Sequence, residues 1–142
     1  MATVRELITA RTAACLVGAT PAGANVFRSR ETAITRALTP AIVIMPVDED
    51  VRRMGSFTDV HVLTLAIEIF TRGDPWDSIA DATAEAAHRV LVNDPVILSY
   101  QADVRKIATA YESQEADRTA GVLTSTYAIT YLAKASDVAA GP

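Results

Sequence analysis

Residues 103–133 read Asp-Val-Arg-Lys-Ile-Ala-Thr-Ala-Tyr-Glu-Ser-Gln-Glu-Ala-Asp-Arg-Thr-Ala-Gly-Val-Leu-Thr-Ser-Thr-Tyr-Ala-Ile-Thr-Tyr-Leu-Ala. Two β-rich arms, 104–113 and 122–132, flank an acidic connector ending in Ala120-Gly121, which predicts a hairpin that closes a sheet. In the second arm Leu123, Tyr127, Ile129 and Tyr131 fall on one side and Thr124, Thr126 and Thr130 on the other, as in a half-buried strand. Nothing in the stretch carries catalytic chemistry.

Upstream, 41–47 is an uninterrupted apolar run, the pattern of a buried strand. Over 59–70, His61, Leu63, Leu65, Ile67 and Ile69 alternate onto one face. The polar segment 48–58 between them has Gly55 at its middle, so both strands are expected to run on into a long hairpin. A strand of about twelve residues spans roughly 40 Å at ~3.3 Å per residue, twice the usual length. A short strand is expected over 26–29, after a loop from Gly18 to Asn25.

Two helices complete the pattern. Thr3-Val4-Arg5-Glu6 matches a capping box, and Val4, Leu7, Ile8, Ala14 and Cys15 recur at helical spacing, so a first helix is expected over 4–17 with Gly18 at its exit. A second should begin with Asp74 as cap and Pro75 in the first position, carry Trp76, Ile79, Ala80, Thr83, Ala87, Val90 and Leu91 as one stripe, and stop at Asn93-Asp94-Pro95. Its length of about 27 Å is shorter than the long strands, which leaves the hairpin tip overhanging by roughly 10 Å or more. The predicted order is helix, three strands, helix, two strands. That is an α+β domain over 1–135, a single mixed and largely antiparallel sheet with both helices on one face, followed by a small polar tail, 136–142, expected to be disordered.

A chain of 142 residues supports one core, and with 50% hydrophobic and 21% charged residues it has the composition of a folded domain. The net charge of −4 argues against standing nucleic-acid binding, which draws its affinity from Lys and Arg on phosphates. The single cysteine, Cys15, excludes an intrachain disulfide. Neither a signal-peptide pattern nor an apolar run long enough for a membrane helix is present in the sequence, so no membrane partner is expected.

The candidate chemical groups read as structural. His61 lies on the apolar face of its strand, His88 sits mid-helix, and Cys15 belongs to an apolar stripe where a thiol acts as a small hydrophobe. Gly18-Ala-Thr-Pro-Ala-Gly23 follows a helix and has no Lys-Ser or Lys-Thr pair after it, so it is a helix exit and not a phosphate loop. Asp48-Glu49-Asp50 on extended backbone would point to alternate sides and reads as a solvated charge run, not a cation site. A chain with no catalytic, cofactor or metal residues is expected. Met54 and Phe57, beside Arg52, Arg53 and Gly55 at a projecting turn, either fold back on their own sheet or anchor a neighbour. Glu112, Glu115, Asp117 and Arg118 read first as solvent-facing hairpin residues, with Glu115 and Asp117 as further contact candidates.

Ala120-Gly121 with Thr126, Tyr127, Ile129, Thr130 and Tyr131 resembles the C-terminal hairpin of the tail terminator proteins of long-tailed bacteriophages. The likeness extends in outline to Pro40–Val43, to the strand ending Ile67-Glu68-Ile69-Phe70, and to the element order. It implies a non-enzymatic virion protein, assembled in the host cytoplasm, that forms a hexameric ring at the head-proximal end of the tail. Such a ring docks on the tail tube protein, halts tube polymerisation, and meets the head completion or connector protein, while DNA passes through without specific binding. No cofactor is implied. Arg52, Arg53, Met54, Phe57, Glu115 and Asp117 are the expected subunit or tube contacts. Another connector or tube component, and a small-molecule module with a polar pocket around His61 and Glu68, are the alternatives.

Overall fold

The computed structural model describes residues 2–30, 34, 38–114 and 117–141, with backbone alone at 117 and 118. The elements run α1 (Val4–Leu16), β1 (Val26–Arg28), β2 (Ala41–Met54), β3 (Thr58–Arg72), α2 (Trp76–Asn93), α3 (Pro95–Ser99), β4 (Asp103–Gln114) and β5 (Asp117–Lys134). Five strands form one sheet in the order β1-β2-β3-β5-β4, parallel between β1 and β2 and antiparallel elsewhere. The architecture is the expected α+β sheet with its two long helices on one face. A short third helix, α3, was not read from the sequence.

The core follows from the period-two pattern of β3 and β5. His61, Leu63, Leu65, Ile67 and Ile69 are buried, and across the ladder Leu123, Tyr127, Ile129 and Tyr131 are buried with them. Each fully buried Leu or Ile contributes about 1.5–3 kcal/mol relative to leaving it in water. The intervening residues of β3, from Val60 to Phe70, are half-buried on the other face. Ile42 and Ile44 of β2 continue the core, while from Pro46 onward β2 is exposed apart from the half-buried Glu49.

α2 buries Ala80, Thr83, Ala84, Ala87 and Leu91, close to the expected stripe; Ile79 is partly exposed. Its start differs from expectation. Pro75 occupies the cap position and no side chain accepts from the first-turn N–H groups, so Asp74 does not cap. The inward stripe of α1 is also rotated, to Val4, Ile8, Thr9, Thr12 and Leu16, leaving Leu7 partly exposed. The threonines can face inward because their hydroxyls donate to the carbonyls of Arg5 and Ile8, each at 2.8 Å, leaving neither unpaired. The capping box is half realised. Thr3 Oγ1 accepts from the Glu6 N–H, but the Glu6 carboxylate turns away to take two hydrogen bonds from Arg28 at 2.7 and 2.6 Å.

Two further expectations are corrected. Ala120-Gly121 is not the end of a turn: it lies inside β5, paired to Arg72 and Thr71 of β3. The segment expected to break α2 is also a helix start, because Asp94 accepts from the Ile97 N–H at 3.0 Å and Pro95 suits the first position of α3. Beyond β5 the chain turns back on the body. Val4 N–H donates to Val138 O and Lys134 N–H to Ala140 O, both at 3.0 Å, so the segment expected as a loose tail carries backbone hydrogen bonds as far as it is described.

Candidate functional site

The β2–β3 hairpin is the feature with functional geometry. The strands pair without a break from Asp48↔Thr64 to Met54↔Thr58, and Gly55, at φ 76°, makes the reversal that an L side chain would resist. β5 accompanies β3 to Lys134↔Thr58, and Ala135 N–H donates to Phe57 O at 2.8 Å, so the arm has three strands almost to its tip. Arg53 braces the turn by donating to the Asp59 carboxylate at 2.7 Å and to Ser56 O at 3.4 Å.

On this held backbone, Phe57 is 82% and Met54 49% exposed, with Val51 also exposed. Phe57 therefore does not fold back on its own sheet. Arg52 and Met54 lie on the face away from the helices, Arg53 on the helix side, as their pairing with Val60, Thr58 and Asp59 requires. The helical layer ends short of the tip. α2 lies over the far half of the sheet, where Trp76 meets Gly121 and His88 shares a 3.0 Å hydrogen bond with the Tyr127 hydroxyl. The N-terminal turn of α1 reaches only Glu49. Five residue pairs, Asp50↔Val62 to Met54↔Thr58, lie beyond Glu49, roughly 16 Å at ~3.3 Å per residue; His61 and Ala133 on their helix side are still buried, so it is the turn carrying Met54 and Phe57 that stands clear.

The other expected contacts are not brought to the tip. Glu115 lies outside the described residues, and Asp117 opens β5 at the opposite end of the sheet, on the order of 50 Å from Lys134 at ~3.3 Å per residue. One contact cannot use both groups.

Under the arm lies a polar cluster that sequence reading missed. Glu49, with its side chain 10% exposed, accepts from Arg5 at 2.8 Å and from the Tyr131 hydroxyl, and its Oε2 is 3.5 Å from His61 Nδ1. The His61 ring stacks on Tyr131 with centroids 4.9 Å apart. Burial, then the bond to Glu49, pushes the Tyr131 phenol well above its ordinary range, so it acts as a donor. Glu49 is thus not part of a solvated run; Asp48 and Asp50 are exposed, as alternation implies. The members are 44 and 82 residues apart in sequence, and no local motif links them.

The remaining groups show little reactive character. Cys15 Sγ donates to Thr12 O at 3.4 Å, and burial pushes its thiol up to about 11, far from a thiolate at neutral pH. Gly18 N–H is taken by Gly23 O at 2.8 Å and the Ala22 N–H by Thr20 Oγ1, so that loop satisfies itself. His61 and Glu68 lie on opposite faces of β3, separated by seven positions in a period-two strand. Glu68 borders a hollow with Phe70, Tyr111, Glu112, Val122 and Thr124 that His61 does not reach. Among the described residues no acid, His or Cys cluster has the arrangement for a metal ion, and no helix is long and apolar enough to cross a membrane.

No family model and no curated protein matches the chain. Among solved structures it is similar to a chain of the virion of a native gene transfer agent particle, with a TM-score of 0.52 over 92% of each chain at 13% identity. At that identity the likeness establishes a shared fold.

Proposed function

We propose that this chain is a structural component of a phage-type virion, and specifically a tail terminator. In this reading it forms a ring on the end of the tail tube, stops tube polymerisation and presents the surface that joins the head. The observation that carries the proposal is the arm of β2 and β3, whose tip extends past both helices and presents Phe57 at 82% exposure on a braced turn. An apolar anchor held at the end of a rigid element is what a protein partner buries. The fold shared with a gene transfer agent virion chain supports the setting, as does the resemblance of the closing strands to tail terminators.

Termination needs no chemistry. A ring closes through a heterologous contact, one patch of a subunit on a different patch of the next. One ring face must then accept the tube while the other refuses a further tube subunit, a difference in complementarity. The two ends of this sheet differ in that sense: one ends in the Met54–Phe57 tip, the other at the pair Gln114↔Asp117 where β4 ends and β5 begins. The sheet reading as a small-molecule module loses its premise because His61 and Glu68 share no pocket. Electron microscopy of lysates lacking the protein tests the role. Overlong tubes are expected; tails of normal length without heads would point instead to another neck component.

A further inference from the structure

Strand β4 ends the sheet, and all of its residues are exposed except the half-buried Val104. The other edge is also open along part of its length. β1 pairs only Val26–Arg28 with Ile42–Ile44, so among the described residues no strand pairs with the outer side of β2 from Asp48 to Met54. Natural sheets blunt open edges with proline and bulges. Here those devices stand at Pro46–Asp48 and at Lys106–Ala108, outside two regular stretches, Asp48–Met54 and Asp103–Lys106.

The two stretches are complementary. β4 runs opposite to β2, since three antiparallel pairings separate them. A rotation about an axis along the strands keeps these directions, so β2 of a second copy meets β4 antiparallel. Continuing the sheet also requires the two faces to match, which allows registers differing by two residues. With Asp103 opposite Arg52, Val104 meets Val51 and Arg105 meets Asp50, giving two oppositely charged pairs of exposed residues and one apolar pair, with Lys106 beside Glu49, whose carboxylate is already held by Arg5. Moving two residues one way sets Asp103 against Asp50 and keeps a single opposite pair, Arg105 with Asp48, and moving two the other way sets Arg105 against Arg52 with no opposite pair. Like charges directly opposite disfavour both. Asp50, Arg52, Asp103 and Arg105 are exposed, and among the described residues none is in an ion pair.

We propose that β4 pairs with β2 of a second copy of this chain in that register, building the ring by edge-to-edge continuation of the sheet. The proposal rests on the ring reading above and adds its interface. Within one chain Asp103 is level with Asp50, through Thr130 and Val62. The register therefore offsets neighbouring copies by two residues, about 7 Å at ~3.3 Å per residue. A fixed stagger of this kind is what a sheet needs in order to close on itself.

Paired cysteines test it. In a Cys15→Ser background, Val51→Cys and Val104→Cys are placed in one chain, where three strand spacings of ~4.8 Å and a two-residue offset keep them about 16 Å apart, too far for a disulfide within a copy. The protein is oxidised alone and beside tail tubes and run without reductant. A ladder of covalent multimers is expected, and the shifted pair Val51→Cys with Lys106→Cys, which leaves Asp50, Arg52, Asp103 and Arg105 in place, should stay unlinked. R105D should abolish the Val51–Val104 linkage with an unchanged circular dichroism spectrum, and adding D50R should restore it. The pairing is overturned if the two cysteine pairs link equally, if neither links in either setting, or if D50R fails to rescue folded R105D. Tube lengths in the same samples report separately on termination. Linked rings that leave tubes overlong keep the pairing and remove the terminator role, and unlinked chains that still cap tubes do the reverse.

Discussion

The indole of Trp76 rests on the backbone of Gly121: a Cβ built there would meet Cδ2 and Cε2 of the ring at 2.4 Å. The contact ties the first residue of α2 to β5 and so sets where the helical layer begins along the sheet. It also explains the glycine. β5 at this point is ordinary extended strand, and glycine is there for close approach, not for a turn.

Gly121→Ala should therefore cost about 2 kcal/mol, in the range for overpacking a fitted site. The methyl would meet ring atoms, which cannot bend aside as the end of a flexible chain could. Urea unfolding checks this, and Gly55→Ala serves as the comparison. At Gly55 a Cβ meets nothing within 4 Å and the strain is instead that of a positive φ.

Asp94 joins three elements. Its carboxylate, 5% exposed, accepts from Arg11 Nε at 3.0 Å and from the other guanidinium nitrogen at 2.8 Å, and it caps α3. The Arg11 hydrogen bonds, against the cost of burial, hold this carboxyl below its ordinary value of 3.8. A depressed folded-state pKa means the contribution is complete above about pH 4 and is lost as pH falls through the lower folded value. Asp94→Ala should lose about 1 kcal/mol from the cap alone at neutral pH. The stability difference from the parent should narrow below about pH 4, as followed by urea titrations at several pH values.

Glu68 has the opposite sign. Its carboxyl is held above the ordinary value first by burial and then by Glu112. The folded state thus binds its proton more tightly, and stability is lost as pH rises from the unfolded value near 4.5 through the folded one. Glu68→Gln should raise the melting temperature at neutral pH and lose that advantage in acid.

Much of the fold could be read directly, because the period-two pattern of 61–69 and 123–131 records burial on one face residue by residue. What could not be read were features set by partners distant in sequence. Gly121 looked like turn chemistry because Trp76, which requires it, lies 45 positions away in sequence, 121 − 76. Glu49 looked solvated because Arg5 and Tyr131 meet it only in the folded chain. The short helix α3 did leave a signal, Asp94-Pro95, which serves equally as a stop for one helix and a start for the next. At the candidate site, composition and Gly55 located the hairpin, while the exposure of Phe57 emerged only with the packing around it.

Replacing Met54 and Phe57 together by alanine should leave the monomer's stability within about 0.5 kcal/mol, since both are exposed side chains. The same variant should lose attachment to tubes or ring closure, measured by co-sedimentation and native mass. Ring formation and tail-length control unchanged by the double substitution would remove the arm tip from the interface.

Negative-stain imaging of the purified protein mixed with tail tubes tests the proposed role most directly. A ring seated on one end of each tube, with elongation halted there, is the predicted result. A protein that stays monomeric beside tubes, or decorates both ends and the walls alike, would contradict it.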